Sequence, residues 1–263
     1  MLALLDGDII LYRNAWASNN DPLGIAIART DEMIDLILHD TQAKTFDIYL
    51  SDDYTNNFRY QIDPNYKANR KDVARPVWYK EIKDHLFDKW NAQLSLGMEA
   101  DDSLGIQQTA HTHDEDSVIC SIDKDLMQIW GAHYNFVKKE WKQVGYVEGT
   151  RQLYLQLLIG DTSDNVKGVD RIGPVKAGKL LNHLTNEYEM FEVVRGLYNN
   201  DERLLKNGKL LYIRRYDDEI WNFPSKPVKF MPPDGTPEQL SILPMPKAPT
   251  QSMGLIGVVS AGT

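Results

Sequence analysis

An α/β fold built on an open, mostly parallel sheet is predicted by three observations. Short apolar runs at residues 2–5, 48–50 and 118–122 each stop at an aspartate: Asp6, Asp52 (after Ser51) and Asp123. Runs of this length are read as buried strands. Between the first two, Met33, Ile34, Ile37 and Leu38 recur at helical spacing within residues 31–44, which predicts a crossover helix and a β-α-β opening. Residues 133–147 alternate and are rich in aromatic and β-branched side chains, predicting one or two further strands.

The remaining elements follow in order. A polar, basic stretch containing Pro64 and Pro76 precedes a helix at 79–94, whose apolar positions include Ile82, Leu86, Phe87 and Trp90. Another helix after Asp101 leads into the third strand, and a strong helix is expected over 151–159. From Gly160 to Leu181 the glycine spacing predicts short helices, followed by two polar helices up to about Trp221. Residues 224–263 hold eight of the chain's twelve prolines and are expected to form an extended tail, with disorder as the alternative.

Composition narrows the class. At 263 residues the chain can bury a large α/β core. Its one cysteine, Cys120, lies inside an apolar run, so no intrachain disulfide is available, which fits a reducing cytoplasm. No apolar stretch approaches the roughly 18–20 residues that span a bilayer, and Asp6 and Asp8 arrive too early for a signal-peptide core. A soluble cytoplasmic protein with no membrane partner is therefore expected. The net charge of −9 alone argues against nucleic acid, because phosphates reward cations. Yet residues 59–83 carry seven basic side chains against Asp63, Asp72 and Glu81.

The acids are grouped where a parallel sheet presents its ligand crevice, at the carboxyl ends of strands. After Asp6 and Asp52 come Glu99, Asp101 and Asp102 in GMEADDSLG, Asp123 and Asp125 in SIDKDL, and Asp161 and Asp164 in GDTSDN. Crowded carboxylates repel and call for a cation, and an all-oxygen donor set suits a hard ion such as Mg²⁺ or Mn²⁺. Each patch has a plainer explanation: helix capping for Glu99 and Asp102, a local turn for Asp161 and Asp164. Asp8 is read as a polar residue at the start of the first helix, with a capping role. In YKANRK, Tyr66 stands beside Lys67, Arg70 and Lys71, a mixture that stacks a base and neutralises phosphate, or else forms a solvated loop. In the segment GVDRIGPVKAGKLL, glycines suited to tight turns precede a helix bearing Lys176 and Lys179; exposed backbone N–H groups there can hold a duplex backbone, or the helix has an ordinary basic face.

Read in order, LLDGD, LSDD followed by Arg59, YKANR, GMEADD, SIDKDL and GDTSDNVKGVDRIGPVKAGKLL resemble the structure-specific 5′-nuclease superfamily, whose members include flap endonucleases, the 5′-nuclease domain of bacterial DNA polymerase I and bacteriophage 5′-3′ exonucleases. At this length the chain is most similar to the phage members. The resemblance implies a PIN-like catalytic domain over 1–150 with a helical arch at about 53–95, a helical region over 151–223 containing a helix-three-turn-helix at 160–181, and the Pro-rich tail. It implies two divalent ions: Asp6, Asp52, Glu99, Asp101 and Asp102 serve one, and Asp123, Asp125, Asp161 and Asp164 the other. Lys67 and Arg70 act catalytically on the scissile phosphate. Arg59, Tyr66, Lys71, Gly168, Val169, Ile172, Gly173, Lys176 and Lys179 contact DNA, with a K⁺ ion as a further expectation at the helical hairpin. The implied substrate is DNA with a 5′ end, flap or recessed terminus, an RNA–DNA hybrid being a further candidate; oligomeric state is left open. Pro174 stands where the family carries an acidic or small residue, and the tail has no counterpart.

Two other readings compete. D-x-D after the first strand suits a haloacid dehalogenase-type phosphatase, with Asp6 as nucleophile and Asp8 as acid/base, and replacing Asp8 would then spare a nuclease. A catalytically silent DNA-end binder is the other.

Overall fold

The computed structural model describes residues 1–53, 55–70, 73–111 and 117–226, so Lys71 and almost all of the predicted tail lie outside the described residues. Residues Met1–Pro227 form one compact unit.

The apolar runs form strands as expected: β1 (Leu2–Asp6), β2 (Thr45–Ser51) and β4 (Ser117–Cys120). Together with β3 (Gln93–Ser95), β5 (Gly131–Asn135) and β6 (Glu140–Val144) they make a sheet ordered β3-β2-β1-β4-β5-β6. Every neighbouring pair is parallel except β5–β6. Ala3 to Asp6 and the whole of β4 are buried, because a parallel sheet is covered on both faces and needs continuous rather than alternating apolar sequence.

Two helices fill the first crossover: α1 (Gly7–Ala17) and α2 (Leu23–Thr41). They share one face of the sheet with α4 (Tyr79–Trp90), burying Ile10, Leu11, Ile34, Ile37, Ile82 and Leu86 against Leu5, Ile48 and Val118. On the other face, Ala100 and Leu104 of α5 (Ala100–Ala110) pack on Leu4, Tyr49 and Ile119. Among the described residues of the segment expected to form an arch are α3 (Phe58–Ile62), a 3-10 turn at Ala68–Arg70 and α4.

A second core joins α6 (Tyr146–Ile159), α7 (Pro174–Leu181), α8 (Glu187–Tyr198) and α9 (Asp201–Leu211). Here the structure differs from the expectation of successive short helices after Gly160. The segment between α6 and α7 holds a small antiparallel pair, β7 (Gly160–Asp161) and β8 (Val166–Lys167). Two glycines permit it: Gly160 has φ +81°, and a Cβ on Gly168 would stand 2.4 Å from the Gly160 nitrogen and 2.5 Å from the Leu158 oxygen. Two backbones meet there with no room for a side chain.

Candidate active site

Register places the ends of β1, β2 and β4 side by side, with Leu5 opposite both Ile48 and Cys120. Asp6 leaves the end of β1 and caps α1, accepting a bond from Ile9 N at 3.1 Å, while Ser121 Oγ donates to its other oxygen at 2.6 Å. Burial, then the nearby charges of Asp8 and Asp123, push Asp6 up to about 7 against those two bonds. Asp101 is raised well above the carboxylate range by burial and by Asp6, Asp123 and Glu99. Asp125 rises to about 7 through burial and the charges of Asp123, Asp161 and Asp164. Asp164 is raised by burial and by Glu99, against Lys67, Tyr66 and Arg70. Ser121 Oγ, which donates to Asp6, also accepts Asp123 N at 3.0 Å, so the acids at the ends of β1 and β4 are neighbours.

Basic residues of the 65–70 turn meet these acids. Lys67 Nζ lies 2.5 Å from Glu99 Oε1 and 3.7 Å from Asp164 Oδ1; Arg70 Nη2 lies 2.9 Å from the same Asp164 oxygen. Although burial opposes ionisation, Lys67 and Arg59 hold Glu99 down to about 2. The 65–70 turn is tied to the β7–β8 loop through its backbone as well. Lys67 N donates to Asp164 O at 3.0 Å, Asn69 Nδ2 to Thr162 O at 2.8 Å, Arg70 Nε to Ser163 O at 3.0 Å, and Asn165 Nδ2 to Asn65 O at 2.9 Å. Lys67 itself is held in the left-handed region at φ +52°, a conformation costing a non-glycine residue ~1–2 kcal/mol.

Several expected roles need correction. Asp102 is fully buried and serves structure: its oxygens take Arg59 Nη1 at 2.5 Å and Nη2 at 2.8 Å, plus the backbone N–H groups of Glu99 and Arg214, both at 3.1 Å. A carboxylate so occupied has no lone pair directed to a metal. Arg59, 2% exposed, also donates to Leu210 O and Tyr212 O, so it is no DNA contact. Tyr66 is equally buried and donates its hydroxyl to Asp164 at 2.8 Å and Glu99 at 3.2 Å, leaving no ring face for a base. Asp52 is drawn away from the cluster by Gly97 N at 2.8 Å, Asp53 N at 2.7 Å and Asn56 Nδ2 at 3.3 Å, with Lys83 adding to the lowering of its pKa. Gly168 and Ile172 are buried. Val169 is half-buried, and Gly173, Lys176 and Lys179 are exposed on or just before α7.

Asp8 also departs from its expected capping role. Asp6, not Asp8, caps α1. Asp8 is turned to the end of β2, accepting the hydroxyl of Ser51 and, at 3.3 Å, its N–H, while Ser51 Oγ accepts Ala100 N at 2.9 Å. Its pKa is raised by burial and by Glu99, which joins it to the cluster. The signal was the two-residue spacing after a strand, which sets both acids at the same sheet edge.

Donor chemistry fits a hard divalent cation: every cluster ligand is a carboxylate oxygen, and Asp125 Oδ1 is buried without a hydrogen-bond partner among the described residues. As the side chains stand, no three His, Cys, Asp or Glu among the described residues converge into a closed chelate, and Lys67 provides the local positive charge between Glu99 and Asp164.

Residues 1–153 match the family described as 5′-3′ exonuclease, N-terminal resolvase-like domain. The chain is 28% identical over 225 residues to a 5′-3′ exonuclease of Buchnera aphidicola, covering 77% of this chain and 75% of that protein. It is 29% identical over 236 residues to a 5′-3′ exonuclease of Mycoplasma genitalium, covering 78% and 80%. Among solved structures it is similar to a bacteriophage T5 flap endonuclease in a complex with DNA and metal ions, with TM-score 0.60, 18% identity, and coverage of 80% of this chain and 88% of that one. The phosphatase and silent-binder readings give way to this match, and no described helix is long and apolar enough to cross a membrane. With its acids gathered at the carboxyl edge of a parallel sheet, the chain belongs to the 5′-3′ exonuclease family and is a phosphodiester-hydrolysing nuclease.

Proposed function

We propose that the chain cuts DNA phosphodiesters near a 5′ end, at a flap or a recessed terminus, with two Mg²⁺ or Mn²⁺ ions held by its acidic cluster. Asp6, Glu99, Asp101 and Asp123 would hold one ion; Asp125, Asp161 and Asp164 the other. Bound there, the ions supply an activated water and neutralise charge at the phosphate. The chain of contacts that runs from Asp6 through Ser121 to Asp123 and Asp125, with Lys67 and Arg70 against Glu99 and Asp164, is the observation that carries this reading.

Lys67 and Arg70 are cations at the rim of the acids, placed to hold the scissile phosphate and to balance charge on the leaving oxygen. Ser121 Oγ and Ile9 N orient Asp6, and Ser163 Oγ donates to Asp161 at 2.6 Å, so these carboxylates are fixed before substrate arrives. Lys176 and Lys179 form no ion pair among the described residues, which leaves both charges free for a duplex backbone. Arg203 already donates to the carbonyls of Lys167 and Gly168, so a K⁺ ion in this loop would need other oxygens.

The test is cleavage of a 5′-labelled flap and a recessed duplex with Mg²⁺, with Mn²⁺ and with chelator. Metal-dependent products from the 5′ end are expected; no cleavage with either ion overturns the reading. Replacing Na⁺ by K⁺, and DNA by an RNA–DNA hybrid, extends the same assay to the remaining partners.

A further inference from the structure

Beside the amino-terminal end of β5 and the start of α6 lies a cavity of about 300 Å³ walled by Trp130, Tyr146, Tyr212, Tyr216 and Trp221 and by the charged groups of Arg215, Glu187 and Glu219, none of them among the acids assigned to ions. That volume is at the small end of ligand pockets and suits one nucleobase, not a duplex.

Arg215 is the unusual group. It is only 7% exposed, stacks over Trp130 at 4.8 Å and Tyr212 at 5.2 Å, and gives one bond, Nη2 to Gln128 O at 3.3 Å. It forms no ion pair among the described residues, and its Nε is buried without a hydrogen-bond partner. A guanidinium buried among aromatic rings with no counter-ion is stabilised by a ligand that supplies an acceptor to it. The carboxylates are partly engaged. Glu187 Oε1 accepts Tyr154 Oη at 3.1 Å; Glu219 accepts Tyr212 Oη at 2.9 Å and Arg215 N at 2.7 Å. Each oxygen retains lone-pair capacity. All three charged side chains line the same cavity. At the mouth Tyr146 and Tyr216 are 51% and 60% exposed, which offers ring faces for stacking.

We propose that this cavity binds the guanine base of an unpaired nucleotide. Guanine has acceptors O6 and N7 on one edge, which match an arginine fork, and donors N1–H and N2–H on the adjoining edge, which match a carboxylate. Adenine lacks the paired donors. The exposed tyrosines stack the ring, and the acidic cluster has no part in the contact.

Calorimetric titration of the full chain with guanosine 5′-monophosphate tests this, with chelator present so that no divalent ion carries the phosphate to the acidic cluster. Saturable one-to-one binding is expected, at least about fivefold tighter than for adenosine 5′-monophosphate, and weakened about fivefold or more by Tyr146→Ala and by Tyr216→Ala, the lower range for one stacked base. Tyr216 is 60% exposed and Tyr146, whose ring meets Trp130 at 5.1 Å, is 51% exposed, so both variants should fold and keep 5′-nuclease activity. Arg215→Lys should remove the preference for guanine. Absence of binding, equal affinity for the adenine nucleotide, displacement by inorganic phosphate alone, or unchanged affinity in both tyrosine variants overturns the proposal.

Discussion

Replacing Arg59 by methionine isolates the buried ion pair that anchors the site. The change removes both bonds to Asp102, at 2.5 and 2.8 Å, and those to Leu210 O at 2.9 Å and Tyr212 O at 2.7 Å, in a place where both partners are 2% or less exposed. Asp102 then keeps only two backbone N–H bonds, from Glu99 and Arg214. Stranding one charge of a buried pair costs ~3–5 kcal/mol, a large part of the ~5–15 kcal/mol that holds a domain together. At roughly 2–4 °C per kcal/mol for a chain of this size, melting should fall by ~6–20 °C. A matched pair of apolar residues, Arg59→Met with Asp102→Leu, should recover part of that loss, because Asp102 is no longer stranded and Glu99 keeps Lys67 as its partner. Thermal and urea melts of the two variants decide the matter. A loss under ~1 kcal/mol in the single variant, or weaker DNA binding with unchanged melting, would refute the structural assignment of Arg59.

Other outcomes follow from the same geometry. Asp6 and Asp125, raised to about 7, bind protons more readily folded than unfolded, so their contribution to stability grows as pH falls from above 7 toward about 4; Glu99, held near 2, contributes above its unfolded value of about 4.5 and is lost only as pH falls toward 2. Metal-free protein should therefore melt higher at pH 5.5 than at pH 8, and saturating Mg²⁺ should flatten that slope; a slope unchanged by Mg²⁺ counts against ions in the cluster. Asp123→Asn and Asp164→Asn should lower turnover by orders of magnitude with modest loss of DNA binding. Lys176→Ala should weaken duplex affinity and reduce its log–log salt slope by about 1, with turnover at saturation retained. Equal losses in both assays for all three contradict this division. Gly168→Ala should destabilise by ~1–3 kcal/mol in a urea melt, as overpacking at a backbone contact does; an unaffected melt would mean the loop opens freely.

Much of the sheet was legible because burial on both faces leaves an unmistakable apolar run, as at 2–5 and 118–122. The edges were less so. β3 spans three residues and is partly exposed, too short to leave a periodic trace. The acids were legible as a set but not individually. Asp52 and Asp102 share the composition of their neighbours, and only the placement of Gly97 and Arg59 in space decides that one is captured by a loop and the other by a guanidinium. Tyr66 and Arg59 sit in a basic, polar stretch that suggests a surface, yet their polar ends are absorbed by partners far along the chain, which no local window reveals. Asp8 was visible and given a capping role that its neighbour at position 6 performs.

The partners of Arg59 at residues 210 and 212, and the seat of the 65–70 turn on residues 162–165, both lie beyond the stretch that defines the family, 1–153. A fragment cut at that border would carry the six strands of the main sheet and five of the seven carboxylates assigned to ions, yet lose the scaffold that orients them. The catalytic module is thus wider than its family signature, and any transplant or minimal version has to extend to at least residue 214, where the backbone N–H of Arg214 closes the circle around Asp102.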